Sequence, residues 1–349
     1  MAAEPSAPLL AAPLLNRQIF FFLVSIVFFG HGQEVETGSF PLLMPHVRPL
    51  KAETYLCTPI RIDNNKVFYI TGFVPNATMQ TAHHMLIYGC SRPGSNEAVW
   101  NCGEMTAKQP GLEQASPCAS GASVIYAWAM DAPPLELPKD VGFPVGGHTE
   151  TSYLVLQVHY ASVEKFRDGS TDDSGVFLHY TNRPQGKTAG VLLMATGGVI
   201  PPKSTTHMEV ACEIKDDIVI HPFAFRTHTH SLGQAVSGYR VREVHGQDEW
   251  TLIGKRDPQL PQMFYPVFNS MTIQPGDIVA SRCTMKSNRW RFTTVGPTNE
   301  HEMCNFYLMY WVDGKRSLKQ KKCVSVGPPL SYWRTYPLRN IPEDASTLE

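Results

Sequence analysis

The 349-residue chain has no excess of either charge and few charged residues in total. It contains 30 Lys and Arg against 31 Asp and Glu, and charged residues make up 17% of the sequence. No long basic run is present, so a nucleic-acid-binding surface is not expected. Hydrophobic residues account for 43% and aromatic residues for 10%. This composition excludes a disordered chain and is sufficient for the cores of two domains.

Several motifs that identify common enzyme classes are also absent. The sequence lacks the His-Glu-x-x-His pair of zinc hydrolases, the Gly-x-Ser-x-Gly nucleophile turn, a glycine-rich phosphate loop and a Rossmann fingerprint. It contains no Cys-x-x-Cys pair of the kind found in structural zinc sites and redox motifs.

The amino terminus carries an apolar run at residues 19–30 (IFFFLVSIVFFG). Arg17 precedes it and a short polar stretch follows, which is typical of a signal peptide. The run is shorter than the about 20 residues that cross a bilayer, although an uncleaved anchor is the alternative. The sequence therefore predicts a signal peptide at residues 1–33. The mature protein is expected in the secretory pathway, in the granule lumen or secreted, without a stable membrane span.

The eight cysteines agree with an oxidising compartment. Because the number is even, four disulfides are the simplest account, but sequence arithmetic does not choose among the many possible pairings. The sequon Asn76-Ala77-Thr78 is a candidate glycosylation site.

The rest of the chain has short β-rich runs between Pro- and Gly-rich turns, and no helices of about ten residues that a parallel α/β fold would need. The sequence therefore predicts an all-β fold of antiparallel sandwiches or barrels. A polar, turn-rich stretch at 181–188 predicts a boundary between domains 34–186 and 187–325, with a polar, Pro-rich tail at 326–349. The predicted strands are 67–74, 85–88, 124–130, 153–160, 175–180, 207–212, 218–228, 250–254, 278–284 and 306–312.

A His-x-His pair lies at the end of the predicted strand 218–228. Successive strand residues point to opposite faces, so Arg226, His228 and His230 share one face. Two imidazoles at this spacing can reach one metal ion, whereas ordinary surface or turn histidines are the simpler alternative. Arg226 is unusual on the face of a core strand and favours a functional site.

The same alternation applies to residues 302–307. Met303, Asn305 and Tyr307 share one face, and Cys304 and Phe306 point the other way. A thioether, an amide and a phenol make a poor hydrophobic core but a reasonable reactive surface. For this segment alone, a methionine that fills a packing gap is the simpler interpretation.

Two further histidine clusters are present. His83 and His84 are adjacent, so both can bind one metal only if the backbone bends or the rings use different nitrogens. His159 shares a strand face with Gln157, which is more typical of a structural histidine. Three imidazoles suit zinc or copper, whereas two imidazoles with a thioether favour copper because methionine selects Cu(I). The remaining histidines are predicted to be structural or solvated: His31, His46, His148, His179, His207, His221, His245 and His301.

Four motifs in this order resemble the ascorbate-dependent copper monooxygenases: His83-His84-Met85, LQVHY at 156–160, His228-Thr229-His230 and Met303-Cys304-Asn305. The resemblance covers residues 40–323. It is closer to the branch that hydroxylates peptidylglycine than to the branch that hydroxylates dopamine, which shares the copper ligands. It implies two antiparallel jelly-roll β-sandwich domains with a copper on each, facing across a solvent-filled cleft.

The resemblance also implies roles for the candidate residues. His83, His84 and His159 would hold an electron-supplying copper, and the catalytic, oxygen-activating copper would be held by His228, His230 and Met303. Arg226, Asn305 and Tyr307 would bind the peptide, and Gln157 would lie between the substrate and the first copper. The implied disulfides are Cys57–Cys102, Cys90–Cys118, Cys212–Cys323 and Cys283–Cys304. No cysteine remains for the further bridge of vertebrate-type members.

The resemblance leads us to expect a monooxygenase that hydroxylates the α-carbon of the carboxy-terminal glycine in glycine-extended peptides. It would use O2, two coppers per chain, and ascorbate as the reductant. Because the sequence stops at Glu349, a separate peptidylamidoglycolate lyase is expected to finish the amide. The alternatives are hydroxylation of a small aromatic amine and non-catalytic copper binding in a secreted protein. A disulfide-stapled adhesion module would leave Arg226 and the His-x-His pair unexplained.

Overall fold

The computed structural model describes residues 35–103, 108–298, 300–314 and 316–348. The signal peptide predicted at 1–33 lies outside these residues, among which no helix is long and apolar enough to cross a membrane. The described chain is almost entirely β, as predicted. Its strands are β1 (Thr37–Leu43), β2 (Thr54–Arg61), β3 (Val67–Asn76), β4 (His84–Cys90), β5 (Arg92–Pro93), β6 (Trp100–Asn101), β7 (Cys118–Ser120), β8 (Ser123–Ala129), β9 (Leu135–Glu136), β10 (Val141–Gly146), β11 (Tyr153–Tyr160), β12 (Gly175–Thr181), β13 (Lys187–Thr196), β14 (Val199–Ile200), β15 (Thr205–Glu213), β16 (His221–Thr229), β17 (Gly233–Val244), β18 (Gln247–Arg256), β19 (Tyr265–Pro266), β20 (Ile278–Lys286), β21 (Thr293–Thr294), β22 (Cys304–Asp313) and β23 (Lys322–Ser325). Short 3-10 helices are η1 (Glu164–Phe166), η2 (Trp333–Thr335) and η3 (Glu343–Ser346).

The largest sheet runs through the whole molecule in the order β1-β12-β3-β10-β13-β22-β16-β19, with β9 added to β3 and β23 added to β13. Two other sheets have the orders β6-β2-β11-β4-β8 and β15-β20-β17-β18. Most pairings are antiparallel, as predicted, but β13 pairs in parallel with β10 and with β23. The β10–β13 pairing joins β1–β12, here called the first unit, to β13–β23, the second unit.

Each unit is a sandwich with its own core. In the first unit, Phe73 and Leu178 from the large sheet pack with Met85 and Leu156 from the five-stranded sheet. The alternation that buries Leu178 is visible along β12, where Val176 and Tyr180 are also buried.

In the second unit, Met194 and Phe306 from the large sheet pack with Val236 and Val279 from the four-stranded sheet. The first core also includes Tyr307 of the second unit. The apolar interior therefore continues from one unit into the other.

The start of the first unit is secured without a disulfide. All seven residues of β1 pair with β12, from Thr37 opposite Thr181 to Leu43 opposite Gly175. Just before β1, the Glu36 backbone N–H donates to the Asn182 side chain at 2.9 Å. This ladder holds the segment for which the sequence has no further cysteine pair.

The polar tail predicted at 326–349 packs onto the four-stranded sheet. Trp333, Leu338 and Ala345 are buried against Tyr239 and other apolar residues of the sheet. Glu209 accepts a hydrogen bond from the Trp333 backbone N–H at 2.7 Å. The composition alone gave no sign of this packing, because the three anchoring residues are spread through a polar segment.

The structure contains four disulfides, and they are the pairs that the family resemblance implies: Cys57–Cys102, Cys90–Cys118, Cys212–Cys323 and Cys283–Cys304. The first two lie within the first unit and the last two within the second. The sequon residue Asn76 is the last residue of β3, is half-buried, and its amide donates to the Asp173 carbonyl at 3.3 Å.

Each predicted strand overlaps a strand of the structure, but several long strands were missed: β1, β2, β13 and β17. Their sequences are interrupted by residues that usually break strands, such as Pro59 in β2 and Gly238 in β17. Gly238 is required there because a Cβ atom would lie 2.2 Å from the Phe306 ring.

Candidate functional site

Three histidines of the first unit meet at one end of the five-stranded sheet. His159 of β11 lies directly opposite His84 of β4 and Tyr55 of β2. His83 precedes β4, where the backbone bends, so its ring turns toward His84 although the two residues are adjacent. The bend is one of the two solutions that the sequence allowed.

The ligand nitrogens of this triad (His83, His84 and His159) lie within 4.8 Å of one another. The Nδ1 atom of His84 is 3.3 Å from Nδ1 of His83 and 3.4 Å from Nδ1 of His159. The opposite nitrogen of His159, Nε2, is 2.9 Å from the Glu53 carboxylate. This contact favours a proton on Nε2 and leaves Nδ1 free to bind a metal.

Two histidines of the triad, His83 and His84, have lowered pKa values. Burial lowers the pKa of His83 to about 4, with further lowering by His159 and His230. Burial also holds the pKa of His84 well below its usual value, and His159 adds to this effect. Neutral imidazoles with converging lone pairs are the form that binds a metal cation.

A second row of candidate residues lies across β16 and β22. Arg226 is directly opposite Tyr307, and His228 is directly opposite Asn305. Met303 comes immediately before β22, and its sulfur lies 4.0 Å from the Asn305 amide nitrogen.

The strand alternation places these residues as predicted. Cys304 and Phe306, on the other face of β22, enter the second core, where Cys304 is bonded to Cys283. Cys283 therefore ties the residue next to Met303 to β20.

The rings of His228 and His230 lie 5.4 Å apart and are buried. Nδ1 of His228 donates to the side-chain oxygen of Gln262 at 2.6 Å, and Nδ1 of His230 donates to the His301 carbonyl at 3.2 Å. Both Nε2 atoms remain available as ligands. Burial, and then the nearby Arg226, hold the pKa of His228 well below its usual value.

Several supporting residues were not found from the sequence. Gln262 contacts both His228 and Arg226, since its backbone carbonyl accepts from Arg226 Nε at 2.7 Å and its side-chain oxygen from Nη2 at 3.2 Å. Gln262 lies in a loop between β18 and β19, where no periodic pattern marks it. Glu53 precedes β2 and is equally unmarked, and His301 acts through its backbone carbonyl rather than its ring.

The donor sets fit copper. Three imidazoles form one set, and the other combines the imidazoles of His228 and His230 with the thioether of Met303, which lines the same cavity as His228. Hydrolytic zinc sites typically include a carboxylate, and neither of these sets includes one. A thioether is a soft ligand, and it favours copper.

The two sets lie closer together than the resemblance implies. The rings of His84 and His228 are 5.9 Å apart and nearly perpendicular. Between the units is a cavity of about 210 Å³ rather than a wide cleft. The continuous apolar core explains the closeness, because Phe264 of the second unit stacks on Tyr126 of the first at 6.2 Å. The predicted residues that line the cavity are His84, Gln157, Arg226, His228, Met303, Asn305 and Tyr307.

Two family models match the chain. Residues 40–167 match the N-terminal domain, and residues 187–336 the C-terminal domain, of the copper type II ascorbate-dependent monooxygenases. The two matches include every candidate metal ligand of both sets.

Curated relatives agree with this match. The chain is 42% identical over 302 residues to peptidyl-glycine alpha-amidating monooxygenase A of Xenopus laevis, covering 86% of this chain and 31% of the relative. It is 43% identical over 307 residues to the peptidyl-glycine alpha-amidating monooxygenase of Mus musculus, covering 87% and 29%. DBH-like monooxygenase protein 1 of Homo sapiens is 28% identical over 284 residues, covering 75% and 45%. The chain thus spans about a third of the length of the peptidyl-glycine relatives.

Proposed function

Because the chain belongs to the copper type II, ascorbate-dependent monooxygenase family, we propose that it hydroxylates the α-carbon of the carboxy-terminal glycine in glycine-extended peptides. This reaction is the first step of peptide amidation. One oxygen atom of O2 enters the Cα–H bond, and the other leaves as water with two electrons from ascorbate. The similarity to the peptidyl-glycine relatives supports this choice of substrate within the family. The main structural support is that Arg226 is buried at the cavity without an ion-pair partner among the described residues.

Arg226 is a buried cation at the cavity, 2% exposed. Among the described residues, no carboxylate forms an ion pair with it. Its hydrogen bonds go to the neutral Gln262, and its guanidinium lies 5.1 Å from the centre of the Tyr307 ring. Burial lowers the pKa of Arg226, although Tyr307 opposes this effect.

A buried charge without a counter-ion is costly unless a partner is supplied. A peptide carboxylate is such a partner, and the planar guanidinium is suited to bind it. Asn305 and Tyr307 are placed to hydrogen-bond the remaining polar groups of the bound glycine. Gln157 lies on the opposite wall, where its amide donates to the Cys102 carbonyl at 3.2 Å.

The same cation disfavours the alternative substrate. A small aromatic amine is positively charged at neutral pH, and Arg226 would repel it in a cavity whose described lining includes no Asp or Glu. Non-catalytic copper binding gives no reason to bury an arginine between two ligand sets.

The triad would hold one copper, and His228, His230 and Met303 the other, giving two per chain. When bound, the coppers supply stored electrons and activate O2 for attack on a C–H bond. The chain's own residues do the rest. Arg226 fixes the carboxylate, and the row of Asn305 and Tyr307 orients the glycine toward His228.

The wider setting is part of the same proposal. The enzyme would act in the lumen of the secretory pathway, in granules or after secretion, with a glycan on Asn76. The two copper-binding domains would span 34–186 and 187–325. A peptidylamidoglycolate lyase acting downstream would convert the hydroxyglycine product into the amide.

Mass spectrometry of a glycine-extended peptide tests the proposal. After incubation with the purified protein, copper, ascorbate and O2, the terminal glycine should gain one oxygen atom. The same peptide with its carboxylate amidated should not react, because it lacks the partner for Arg226. Oxidation of dopamine in place of the peptide would support the amine alternative, and no oxygen transfer to either would support simple copper binding.

A further inference from the structure

We propose that Tyr55 is a positioning residue that couples the two ligand sets, holding the triad through its ring and the Met303 side of the site through its hydroxyl. The inference builds on the proposed function, since it assigns a role to a residue that the ligand and substrate sets do not include. It rests on two contacts made by opposite ends of one side chain.

The ring end belongs to the first unit. Tyr55 lies directly opposite His159 in the β2–β11 ladder. The two rings are stacked, with centres 4.0 Å apart and planes 10° apart. The His84 ring meets Tyr55 edge-on at 5.7 Å. Tyr55 therefore fixes the orientation of two of the three imidazoles by packing.

The hydroxyl end reaches the second unit. It donates a buried hydrogen bond to the Pro297 carbonyl at 2.8 Å. Pro297 lies in the segment that leads into Met303, which we call the Pro297 turn (residues 295–298 and 300–302). Both Tyr55 and Pro297 line the cavity between the two ligand sets.

The Pro297 turn connects Tyr55 to the second ligand set. Its carbonyl at His301 accepts from His230, and its last residue precedes Met303. Gly296 lets the turn close tightly, because a Cβ atom there would lie 2.5 Å from the His301 ring. A shift of Pro297 would therefore displace the partner of His230 and the start of β22 together.

The chemistry of the phenol suits this role. Tyr55 is buried, 5% exposed, and burial together with the nearby Glu53 raises its pKa. The hydroxyl therefore stays protonated and keeps donating. The ring and the hydroxyl also make separable contributions, because phenylalanine retains the stacking and loses only the bond between the units.

Hydrogen exchange of the metal-free full-length protein tests the coupling. In Tyr55→Phe, the backbone amides of Gly296, His301 and Glu302 should exchange roughly 2- to 10-fold faster, as expected for loss of one hydrogen bond. The amides of Gly296 and His301 donate to the Glu302 and Thr298 carbonyls within the turn, and the amide of Glu302 donates to the Thr294 carbonyl of β21. Strands β4 and β11 should keep their wild-type protection.

Tyr310→Phe is the matched control. Tyr310 is a buried tyrosine of the same unit as the turn, and its hydroxyl accepts from the Leu318 backbone N–H at 3.1 Å. Its loss removes a buried phenol hydroxyl without touching Tyr55 or Pro297. Equal acceleration of the turn in both variants, or none in Tyr55→Phe, would overturn the proposal.

Copper binding and kinetics separate the two ends of the side chain. Tyr55→Phe should bind copper at the triad with unchanged affinity, because the stacked ring is retained. Its kcat should fall by a similar factor of roughly 2 to 10, because the hydrogen bond to Pro297 is lost. Tyr55→Leu should in addition weaken copper binding at the triad by chelator competition. Equal weakening in both variants would contradict the assignment of the stacking to the ring. If the wild-type protein does not oxidise glycine-extended peptides, the proposed function is wrong. The hydrogen-exchange comparison of Tyr55→Phe with Tyr310→Phe still shows whether Tyr55 couples the two ligand sets.

Discussion

The two ligand sets are built differently, although each places two histidines on strands or at their ends. The triad comes from adjacent strands of one sheet, and its ligand nitrogens already lie within 4.8 Å of one another. The other set combines His228 and His230 at the end of β16 with Met303, which lies outside any strand. It depends on supports from elsewhere, namely Gln262, the His301 carbonyl and the Cys283–Cys304 disulfide.

The difference suits two tasks. A site that only stores and passes an electron gains from ligands that move little, and the triad lies on a sheet with Glu53 behind it. A site that binds O2 beside a substrate needs a ligand that can adjust, and a methionine thioether at the end of a turn has that freedom. Arg226 lies on the same strand as His228 and opposite Tyr307 of β22, so substrate binding and oxygen chemistry would meet at the second set.

Removal of the Met303 sulfur should have the largest effect on turnover, and it should affect only one of the two ligand sets. Met303→Ile should abolish turnover, by more than about 100-fold, because it deletes a proposed ligand rather than a supporting group. Copper should remain at the triad, giving about one copper per chain by metal analysis. Met309→Ile, in the buried core part of β22, the strand that follows Met303, is the matched control and should retain both coppers. Wild-type turnover in Met303→Ile would remove the thioether from the mechanism.

Removing Arg226 should give the next largest effect, on substrate only. Loss of a charge-assisted pair corresponds to roughly 1.5–3 kcal/mol, or about 10- to 150-fold in KM for a glycine-extended peptide. Both coppers should still bind to Arg226→Ala. Arg256→Ala is a suitable control, since Arg256 also lies over a tyrosine ring, that of Tyr265, but not at the cavity. Equal KM values in the two variants would show that the carboxylate is bound elsewhere.

Substitution of the supporting residues Glu53 and Gln262 should give smaller effects, each on a different copper site. Glu53→Gln should weaken copper binding at the triad by about 10-fold, because His159 loses its anionic partner. Gln262→Ala should weaken the other site by a similar factor and also raise KM, because it removes the side-chain bonds to His228 and to Arg226 Nη2, although the backbone carbonyl still accepts from Arg226 Nε. Chelator competition measures each affinity. Identical effects of both variants on both sites would mean that the sets are not supported independently.

The sequence predicted the parts of the site that depend on strand alternation. Arg226 with His228, and Asn305 with Tyr307, face the cavity because successive strand residues alternate, and Cys304 and Phe306 enter the core for the same reason. The all-β fold was predicted from the same periodicity. The segment 302–307 taken alone favours Met303 as a packing residue, whereas in the structure Met303 lines the cavity with His84 and His228.

What the sequence could not predict depends on distances between segments. Glu53, Tyr55 and Gln262 carry no local signal, since each acts on a residue at least 34 positions away. The closeness of His84 and His228 follows from how the two cores join, through Phe264 and Tyr126. The burial of the carboxy-terminal tail depends on the packing of Trp333 against the four-stranded sheet, whose strands come from distant parts of the sequence.

Copper K-edge X-ray absorption of the reduced, fully loaded protein can show whether the two copper sites are unlike. Two coppers per chain are expected, with nitrogen ligands throughout and, on average, half a sulfur ligand per copper. That sulfur contribution should disappear in Met303→Ile. A wild-type spectrum without sulfur, or one copper per chain at saturation, would show that the two proposed sites are not both present.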